Sequence, residues 1–223
     1  MSSWTKSQVE DWLAKTDFNL YQGINLPYGL KVPGPDRGPT VDAAFVGLPI
    51  PGKSIWVVGS HYGAVPNILA DLGAKQVVGY EARPKYFAIA NTIAEIRGTT
   101  GVIHYVCTNA EKEMPAPHSF DYVTLFNVNH HFSFPVHSLA EIGNRAREAY
   151  LIEWATLDTY DERHDVKTLK GMRKFPIMLA DKYHCWYSTE SGIEEALYSC
   201  KFKSFEHKPS PKAPTRRITV CRR

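Results

Sequence analysis

A glycine-bracketed turn and one acidic residue are the first features of the sequence that suggest chemistry. An apolar run is followed by Gly-Ser-His-Tyr-Gly over residues 59–63, and Glu81 lies twenty-two residues after Gly59 at the end of a second apolar run. In a doubly wound sheet such a turn lets backbone amides approach a ligand, and an acid at about this spacing accepts hydrogen bonds from ribose hydroxyls. Together the two features predict a site for a ribose-containing cofactor.

Histidines in the later part of the chain are candidates for acid–base chemistry. His130 and His131 adjoin in "FNVNHHFSFP", and a histidine pKa near neutrality suits removal of a proton from an oxygen or nitrogen nucleophile. A histidine that is hydrogen-bonded only for structure explains them equally well. A metal site including His137 is disfavoured, because adjacent histidines point in different directions and no Cys or carboxylate completes a familiar ligand spacing. We expect no metal.

The elements that must position these residues follow from the alternation of apolar runs from Ser54 onward. Strands joined through helices imply a mostly parallel sheet covered on both faces, hence an α/β fold. The closing segments "KFKSFEHK" and "TRRITVCRR" are too close together for a parallel crossover and predict an antiparallel hairpin at one sheet edge. The predicted strands are 55–58, 76–80, 102–107, 122–126 and 150–154, and the predicted helices are 64–73, 85–97, 135–147 and 189–200.

The chain before this alternation is different in character. Residues 3–16 predict a short helix with Ser3 as its cap, serving as a lid or an oligomer contact. Residues 25–40 hold four prolines and three glycines, which predicts an ordered loop or linker. We therefore expect an N-terminal segment over 1–50 and an α/β domain over 51–223, in which an insertion near 156–187 covers the substrate.

Composition narrows the class of protein. A content of 43% hydrophobic and 22% charged residues with a net charge of +3 is that of an ordinary globular protein. Four widely spaced cysteines and a polar beginning predict reduced thiols and a cytoplasmic location. No apolar run approaches the ~20 residues that span a bilayer. Eight Lys or Arg residues between 201 and 223 suit a phosphate-bearing partner, although protection of a strand edge by lysines is the commoner explanation.

Several motifs resemble those of the class I S-adenosylmethionine-dependent methyltransferases, over roughly residues 20–223. The resemblance is carried by "VVGSHYG", the acid in "VVGYEARP", "CTNAEKEMP", "FDYVTLFNVNHHFSFP" and the closing hairpin. The nearest group is that of the tRNA wobble-uridine carboxymethyltransferases and their small relatives. The resemblance implies a doubly wound, mostly parallel seven-stranded Rossmann-like sheet with a C-terminal antiparallel hairpin, and S-adenosylmethionine as cofactor.

The same resemblance implies roles for individual residues. In such enzymes the turn meets the methionine portion of the cofactor, the acid binds the ribose, and an asparagine lies near the adenine amine. The loop after the fourth strand lies beside the transferred methyl group, which makes His131 the candidate general base, with His130 as second choice. The candidate cofactor-binding residues are Gly59, Ser60, His61, Gly63, Glu81, Ala82, Asn109, Ala110, Asn127 and Asn129.

Two residues depart from the family's Asp-x-Gly-x-Gly-x-Gly turn. Val57 replaces the acid and His61 replaces the middle glycine. His61 is the more serious change, because it adds a Cβ and a ring where backbone should approach the ligand most closely. Lys31 and Arg37 could pair with the carboxylated cofactor of the carboxymethyl-transferring group. That group's tryptophan and fuller basic set are absent, so we expect the ordinary cofactor.

The leading hypothesis is a methyltransferase acting on an oxygen or nitrogen of a small polar molecule or nucleoside. The alternatives are a catalytically inactive scaffold of the same fold, a tRNA-modifying (carboxy)methyltransferase, and a dinucleotide-dependent oxidoreductase. The oxidoreductase is disfavoured because the terminal hairpin and the absence of Gly-x-Gly-x-x-Gly fit it poorly. A small-molecule acceptor is the expected partner, RNA is an alternative, and the N-terminal helix is compatible with a homodimer.

Overall fold

The fold is built on a seven-stranded sheet. The computed structural model describes residues 4–158, 175–182 and 185–223. Two short antiparallel pairs accompany the sheet, β1 with β2 and β8 with β9. The strands are β1 (Ile24–Asn25), β2 (Lys31–Val32), β3 (Ser54–Val58), β4 (Gln76–Glu81), β5 (Ile103–Cys107), β6 (Phe120–Phe126), β7 (Ala146–Ala155), β8 (Met178–Ala180), β9 (Trp186–Ser188), β10 (Ser204–Pro209) and β11 (Arg216–Arg222).

The order of strands across the sheet confirms the predicted α/β class. It runs β10-β11-β7-β6-β3-β4-β5, and the pairs from β5 to β7 are all parallel. The predicted closing hairpin is also present, since β10 pairs antiparallel with β11. Its later strand lies between β7 and β10, so that β10 forms the edge.

Helices cover both faces of the sheet. Three of them have a proline in the first turn. The first N–H groups of a helix have no intrahelical acceptor, so a proline there removes no hydrogen bond. The fourth helix ends at Gly98, whose φ of +69° suits the left-handed position that closes a helix. The helices are α1 (Lys6–Lys15), α2 (Gly38–Ala44), α3 (Ala64–Asp71), α4 (Pro84–Arg97), α5 (Pro135–Gly143) and α6 (Glu190–Ala196).

Successive residues of β3 supply opposite faces of the core. Trp56 packs in one apolar cluster with Tyr150 and Trp154, and Val57 packs in the other with Leu69. Side chains alternate across a strand, and both faces here are covered, so the strand is apolar throughout. The position where the family carries an acid is therefore occupied by a core valine, 3% exposed.

The N-terminal elements pack onto the same body. Helix α1 is capped by Thr5 and not by the predicted Ser3: the Thr5 hydroxyl accepts from the backbone N–H of Gln8, whose side chain accepts from the Thr5 N–H. Val9 of α1 lies in one apolar cluster with Ile24 and with Ile93 of α4. The Pro/Gly-rich stretch forms β1 and β2, and its last residues begin α2.

Three predicted helices end earlier than expected. The helix predicted over 64–73 stops at Asp71, and that over 135–147 stops at Gly143, because β7 already begins at Ala146. The helix predicted over 189–200 stops at Ala196 and continues as a 3₁₀ turn, Tyr198–Cys200. Lys201 follows with φ +57°, a left-handed conformation that ends helical geometry.

The predicted substrate cover near 156–187 lies partly outside the described residues. Residues 159–174 and 183–184 fall there. The described remainder contains the β8–β9 pair, and Trp186 donates its indole N–H to the carbonyl of Phe132 at 2.9 Å. This contact ties the pair to the loop that follows β6.

Candidate functional site

A cavity of about 440 Å³ opens at the carboxyl ends of β3, β4 and β6. This is the edge at which open α/β sheets bind ligands, and the volume is within the range of small-molecule pockets. Nine of the twelve predicted site residues line the cavity, while Ser60, Gly63 and Asn129 do not. Ser60 and Asn129 are 1% and 3% exposed and lie behind the cavity wall.

The turn between β3 and α3 has room only for glycine at its two ends. Gly59 has φ +70°, and a Cβ placed on it would lie 2.3 Å from Cγ2 of Val128. Gly63 has φ +88°, and a Cβ there would lie 2.0 Å from the hydroxyl of Tyr105. Gly63 is also the residue that precedes α3. The turn can therefore keep this conformation only with glycine at these positions.

His61, between these glycines, turns its ring toward the N-terminal segment. Its Nε2 lies 3.0 Å from Nδ2 of Asn19, and its ring packs against those of Tyr21, Tyr62 and Tyr86 with centroids 4.0 to 5.0 Å apart. The residue is 8% exposed and has φ +53°. The ring thus forms part of the cavity wall, and the cavity persists beside it.

The charge state of His61 follows from its surroundings. Burial, together with the smaller effect of the positive charges of Arg83 and Arg37, lowers the pKa of His61 from 6.5 to about 4. The imidazole is therefore neutral at pH 7. With the Asn19 amide donating to it, Nε2 is the unprotonated nitrogen and acts as an acceptor.

Glu81 ends β4 with its carboxylate at the cavity. One oxygen accepts from the backbone N–H of His61 at 2.9 Å, and the other accepts from the backbone N–H of Arg83 at 2.9 Å. The residue is 7% exposed. An ionised carboxylate has about four acceptor sites, so this arrangement fixes the group and leaves capacity to accept from a ligand's hydroxyls.

The asparagines of the predicted site differ in their surroundings. The side-chain oxygen of Asn109 accepts from the N–H of Glu111, which holds the loop after β5 beside Ala110. Asn127 follows β6 with φ +61°, and its side-chain oxygen accepts from the guanidinium of Arg216. Its N–H donates to the carbonyl of Glu153, so β7 fixes the floor of the cavity.

The two candidate catalytic histidines share a single 3₁₀ turn, Asn129–His131. Both line the cavity, and their ring centroids are 4.0 Å apart. His130 is 7% exposed, whereas His131 is exposed. His137 lies instead on α5, away from the cavity lining. Within the described residues, no group of three or more His, Cys, Asp or Glu side chains could hold a metal ion.

The cations expected for a carboxylated cofactor lie elsewhere. Arg37 is buried and forms an ion pair with Glu153, with Nη2 and Oε2 3.0 Å apart. Lys31 is exposed on β2 and does not line the cavity. The expectation that these two side chains could serve a ligand carboxylate is therefore not met by their positions.

Several cavity residues were not predicted. Arg83 and Tyr86 follow Glu81 at the start of α4, and their spacing of three residues places both on the cavity side of that helix. Arg216 begins β11. An antiparallel strand starts at the sheet edge where its parallel neighbours end. The predicted hairpin could therefore have indicated that Arg216, at the start of its second strand, lies at this edge. Asn19 and Tyr21 lie in a segment without a recognisable pattern.

Comparison with known sequences identifies a domain in the middle of the chain. Residues 56–148, from within β3 to the start of β7, match the family model described as a methyltransferase domain. No curated protein matches the sequence significantly. The helices of the described residues include none long and apolar enough to cross a membrane.

Solved structures share the fold over most of the chain. The N-terminal domain of EvdMO1 with SAH bound has a TM-score of 0.67 at 16% identity, covering 98% of this chain and 97% of that chain. Magnesium protoporphyrin IX methyltransferase (ChlM) from Synechocystis PCC 6803 with bound SAM has a TM-score of 0.60 at 16% identity, covering 82% and 76%.

A third similar structure is a putative methyltransferase from Haloferax volcanii in complex with the Trm112 methyltransferase activator. Its TM-score is 0.63 at 12% identity, covering 84% of this chain and 89% of that chain. At such identities the likeness shows the fold. None of these three structures is described as a tRNA carboxymethyltransferase, so the nearer resemblance to that group stays a prediction.

Proposed function

We propose that this chain, which carries a methyltransferase domain over residues 56–148, transfers a methyl group from S-adenosylmethionine to an oxygen or nitrogen of a small polar molecule or nucleoside. The observation that carries the proposal is the Glu81 carboxylate, fixed by two backbone N–H groups at the wall of a cavity of about 440 Å³. Gly59 lines the same cavity without a side chain. These residues fit a cofactor with a ribose and an amino-acid portion.

The residues of this chain have separable roles in the proposed reaction. When bound, S-adenosylmethionine supplies a methyl group on a positively charged sulfonium. Glu81 accepts hydrogen bonds from the ribose hydroxyls, and Gly59 lets the backbone approach the cofactor. His131 takes the proton from the acceptor where one must leave. Positioning alone accelerates such a displacement, so loss of His131 is expected to slow the reaction without abolishing it.

The chemistry of the cavity wall favours a polar acceptor. Beyond the residues assigned to the cofactor, the wall includes the polar residues Asn19, His130 and Arg216 and the aromatic residues Tyr21, Tyr86 and Phe132. Such a wall, in which polar groups and a cation lie beside aromatic residues, suits a polar ring or sugar better than a lipid. The EvdMO1 domain was also solved in the presence of SAH and D-fucose, which supports testing sugars among the first acceptors.

Acidic side chains neutralise part of the basic surface that the tRNA alternative would use. Three of the eight basic residues between 201 and 223 are paired with acids: Glu206 lies within 3.2 Å of both Lys208 and Arg222, and Glu190 lies 3.3 Å from Arg217. Phosphate binding depends on unneutralised cations. Transfer of a carboxymethyl group is disfavoured as well, because Arg37 is engaged with Glu153.

The inactive-scaffold alternative is favoured by one observation, the replacement of the turn's acid and middle glycine by Val57 and His61. It predicts that neither S-adenosylmethionine nor S-adenosylhomocysteine binds. The methyltransferase proposal predicts that both bind, because His61 forms the cavity wall and leaves the cavity open.

Calorimetric titration with both compounds tests the proposal. Glu81→Gln should weaken binding by about 10- to 100-fold, the range expected when hydrogen bonds to a charged group are lost. Glu95→Gln, on the exposed side of α4, is the matched control and should bind as the parent does. Thermal unfolding of each variant separates lost binding from lost folding. Unchanged affinity in folded Glu81→Gln would contradict the proposal.

Activity is tested by following S-adenosylhomocysteine formation with sugars and nucleosides as acceptors. With an acceptor that turns over, His131→Gln should lower kcat by about 100-fold or more if His131 removes the proton. An unchanged kcat would remove His131 from that role and leave positioning as the source of the rate.

A further inference from the structure

Residues 17–22, called the flap below, form one side of the cavity wall. Asn19, Tyr21 and Gln22 line the cavity from this segment, about forty residues before the turn that they face. Tyr21 is 44% exposed and Leu20 is 60% exposed with φ +56°. The middle of the flap therefore buries little apolar surface, and such segments open at low cost unless polar contacts hold them.

Both ends of the flap are fixed to the body of the protein. Near its start, Phe18 packs edge-on between Trp12 of α1 and Tyr62, with ring centroids 5.5 and 5.7 Å away. At its end, the side-chain oxygen of Gln22 accepts from the N–H of Ala64 at the start of α3. The flap is thus a short strap whose ends stay in place while its middle can lift.

Asn19 connects the middle of the flap to the cofactor turn. Its backbone N–H donates to the hydroxyl of Tyr62 at 3.1 Å, and its Nδ2 lies 3.0 Å from Nε2 of His61 and 3.1 Å from the hydroxyl of Tyr86. Its Oδ1 accepts from the N–H of Tyr21 at 3.2 Å, and the Tyr21 ring packs on the His61 ring. The His61 side chain therefore contacts the flap at two points, Asn19 and Tyr21.

A glycine at position 61 could make neither contact. It would, however, accept φ +53° without strain, whereas a histidine does so at a cost. The turn thus retains a residue that is conformationally unfavourable where the family has glycine, and this residue's side chain reaches the flap. We propose that His61 is a positioning residue that latches the flap over the cavity, so that the cofactor enters and leaves when the Asn19–His61 contact opens.

The latch rests on the proposed function. It predicts a change in the rate of cofactor release opposite to the change expected if the family's glycine is simply the better residue at position 61. If His61 merely disturbs the turn, His61→Gly should bind S-adenosylhomocysteine more tightly and release it more slowly. If His61 is a latch, the same variant should release it faster. Loss of about one hydrogen bond corresponds to roughly tenfold in the dissociation rate.

The experiment measures release of labelled S-adenosylhomocysteine into an excess of unlabelled compound. His61→Gly and Asn19→Ala should each raise the rate about tenfold, and the double variant should raise it by clearly less than the product of the two effects, because both changes remove the Asn19–His61 contact. His61→Gln, which keeps an acceptor, should stay within about twofold of the parent. His104→Ala, an exposed histidine on β5, is the control. Release from His61→Gly at the parent rate or slower would overturn the latch.

Hydrogen exchange on the free protein separates failure of the latch from failure of the proposed function. The N–H groups of Asn19 and Tyr21 are the reporters, since the first donates to the Tyr62 hydroxyl and the second to Oδ1 of Asn19 when the flap is closed. Faster exchange of both in His61→Gly supports the latch even if the parent binds no S-adenosylhomocysteine, an outcome that would refute the proposed function alone. Unchanged protection in His61→Gly would refute the latch.

Discussion

Substitution of Gly59 tests how closely the turn is fitted to its neighbours. In Gly59→Ala the new Cβ would lie 2.3 Å from Cγ2 and 3.3 Å from Cγ1 of Val128, at a φ of +70°. The left-handed conformation costs a residue with a side chain about 1–2 kcal/mol, and overpacking costs about 1–3 kcal/mol more. We therefore expect Gly59→Ala to lower the free energy of unfolding by about 2–5 kcal/mol.

The two contributions can be separated within this chain. Gly47 has φ +73°, and a Cβ attached to it would have no atom within 4 Å, so Gly47→Ala reports the conformational cost alone. In a Val128→Ala background the nearest atom to the new Cβ at position 59 is the Cβ of residue 128, at 3.4 Å, an ordinary contact. There Gly59→Ala should cost about as much as Gly47→Ala does.

Urea denaturation of the parent, the three single variants and the double variant gives the required cycle. The coupling between positions 59 and 128 should be about 1–3 kcal/mol. Titration with S-adenosylhomocysteine should show a parallel loss of affinity in Gly59→Ala, since this residue lines the cavity. A cost equal to that of Gly47→Ala in the parent background, or no coupling with Val128→Ala, would refute the steric reasoning.

Three further outcomes are expected. The pKa of His61 is 6.5 in the unfolded chain and about 4 in the folded chain, so protonation favours the unfolded chain. The free energy of unfolding should therefore fall by up to about 2 kcal/mol between about pH 7.5 and about pH 5. The urea midpoints of His61→Gln should lack this part of the fall. Arg37→Met should cost about 3–5 kcal/mol by stranding Glu153, and adding Glu153→Leu should recover part of it in the same assay. Iodoacetamide should label exposed Cys107 before Cys221, whose thiol is fully buried and has its pKa raised by that burial; equal rates by mass spectrometry would contradict this.

The strands of the parallel part and the closing hairpin could be predicted because the relevant signals are local. Each strand of the parallel part is a short apolar run, and the closeness of β10 and β11 in sequence left antiparallel pairing as the only arrangement. Helix ends were less predictable. The end of α5 at Gly143 depends on where β7 must begin to meet β6, which is a tertiary requirement.

The candidate site shows the same difference between features set by local sequence and features set by tertiary packing. Gly59 and Glu81 could be predicted because turn geometry and strand ends leave marks in the sequence. The orientation of His61 could not, since it depends on Asn19, Tyr62 and Tyr86, which come from three separate segments. The sequence shows only that position 61 carries a ring where the family has glycine; in the structure that ring packs against three tyrosines and forms part of the cavity wall.

The position of β11 between β7 and β10 also constrains the order in which the sheet can assemble. In the described sheet, β10 hydrogen-bonds only to β11, which is synthesised after it. The parallel strands from β3 to β7 can pair without the hairpin, but β10 can join the sheet only once β11 (Arg216–Arg222) has paired with β7. Arg216, which lines the cavity, arrives with that strand. Completion of the sheet and completion of the cavity wall therefore depend on the docking of the same strand.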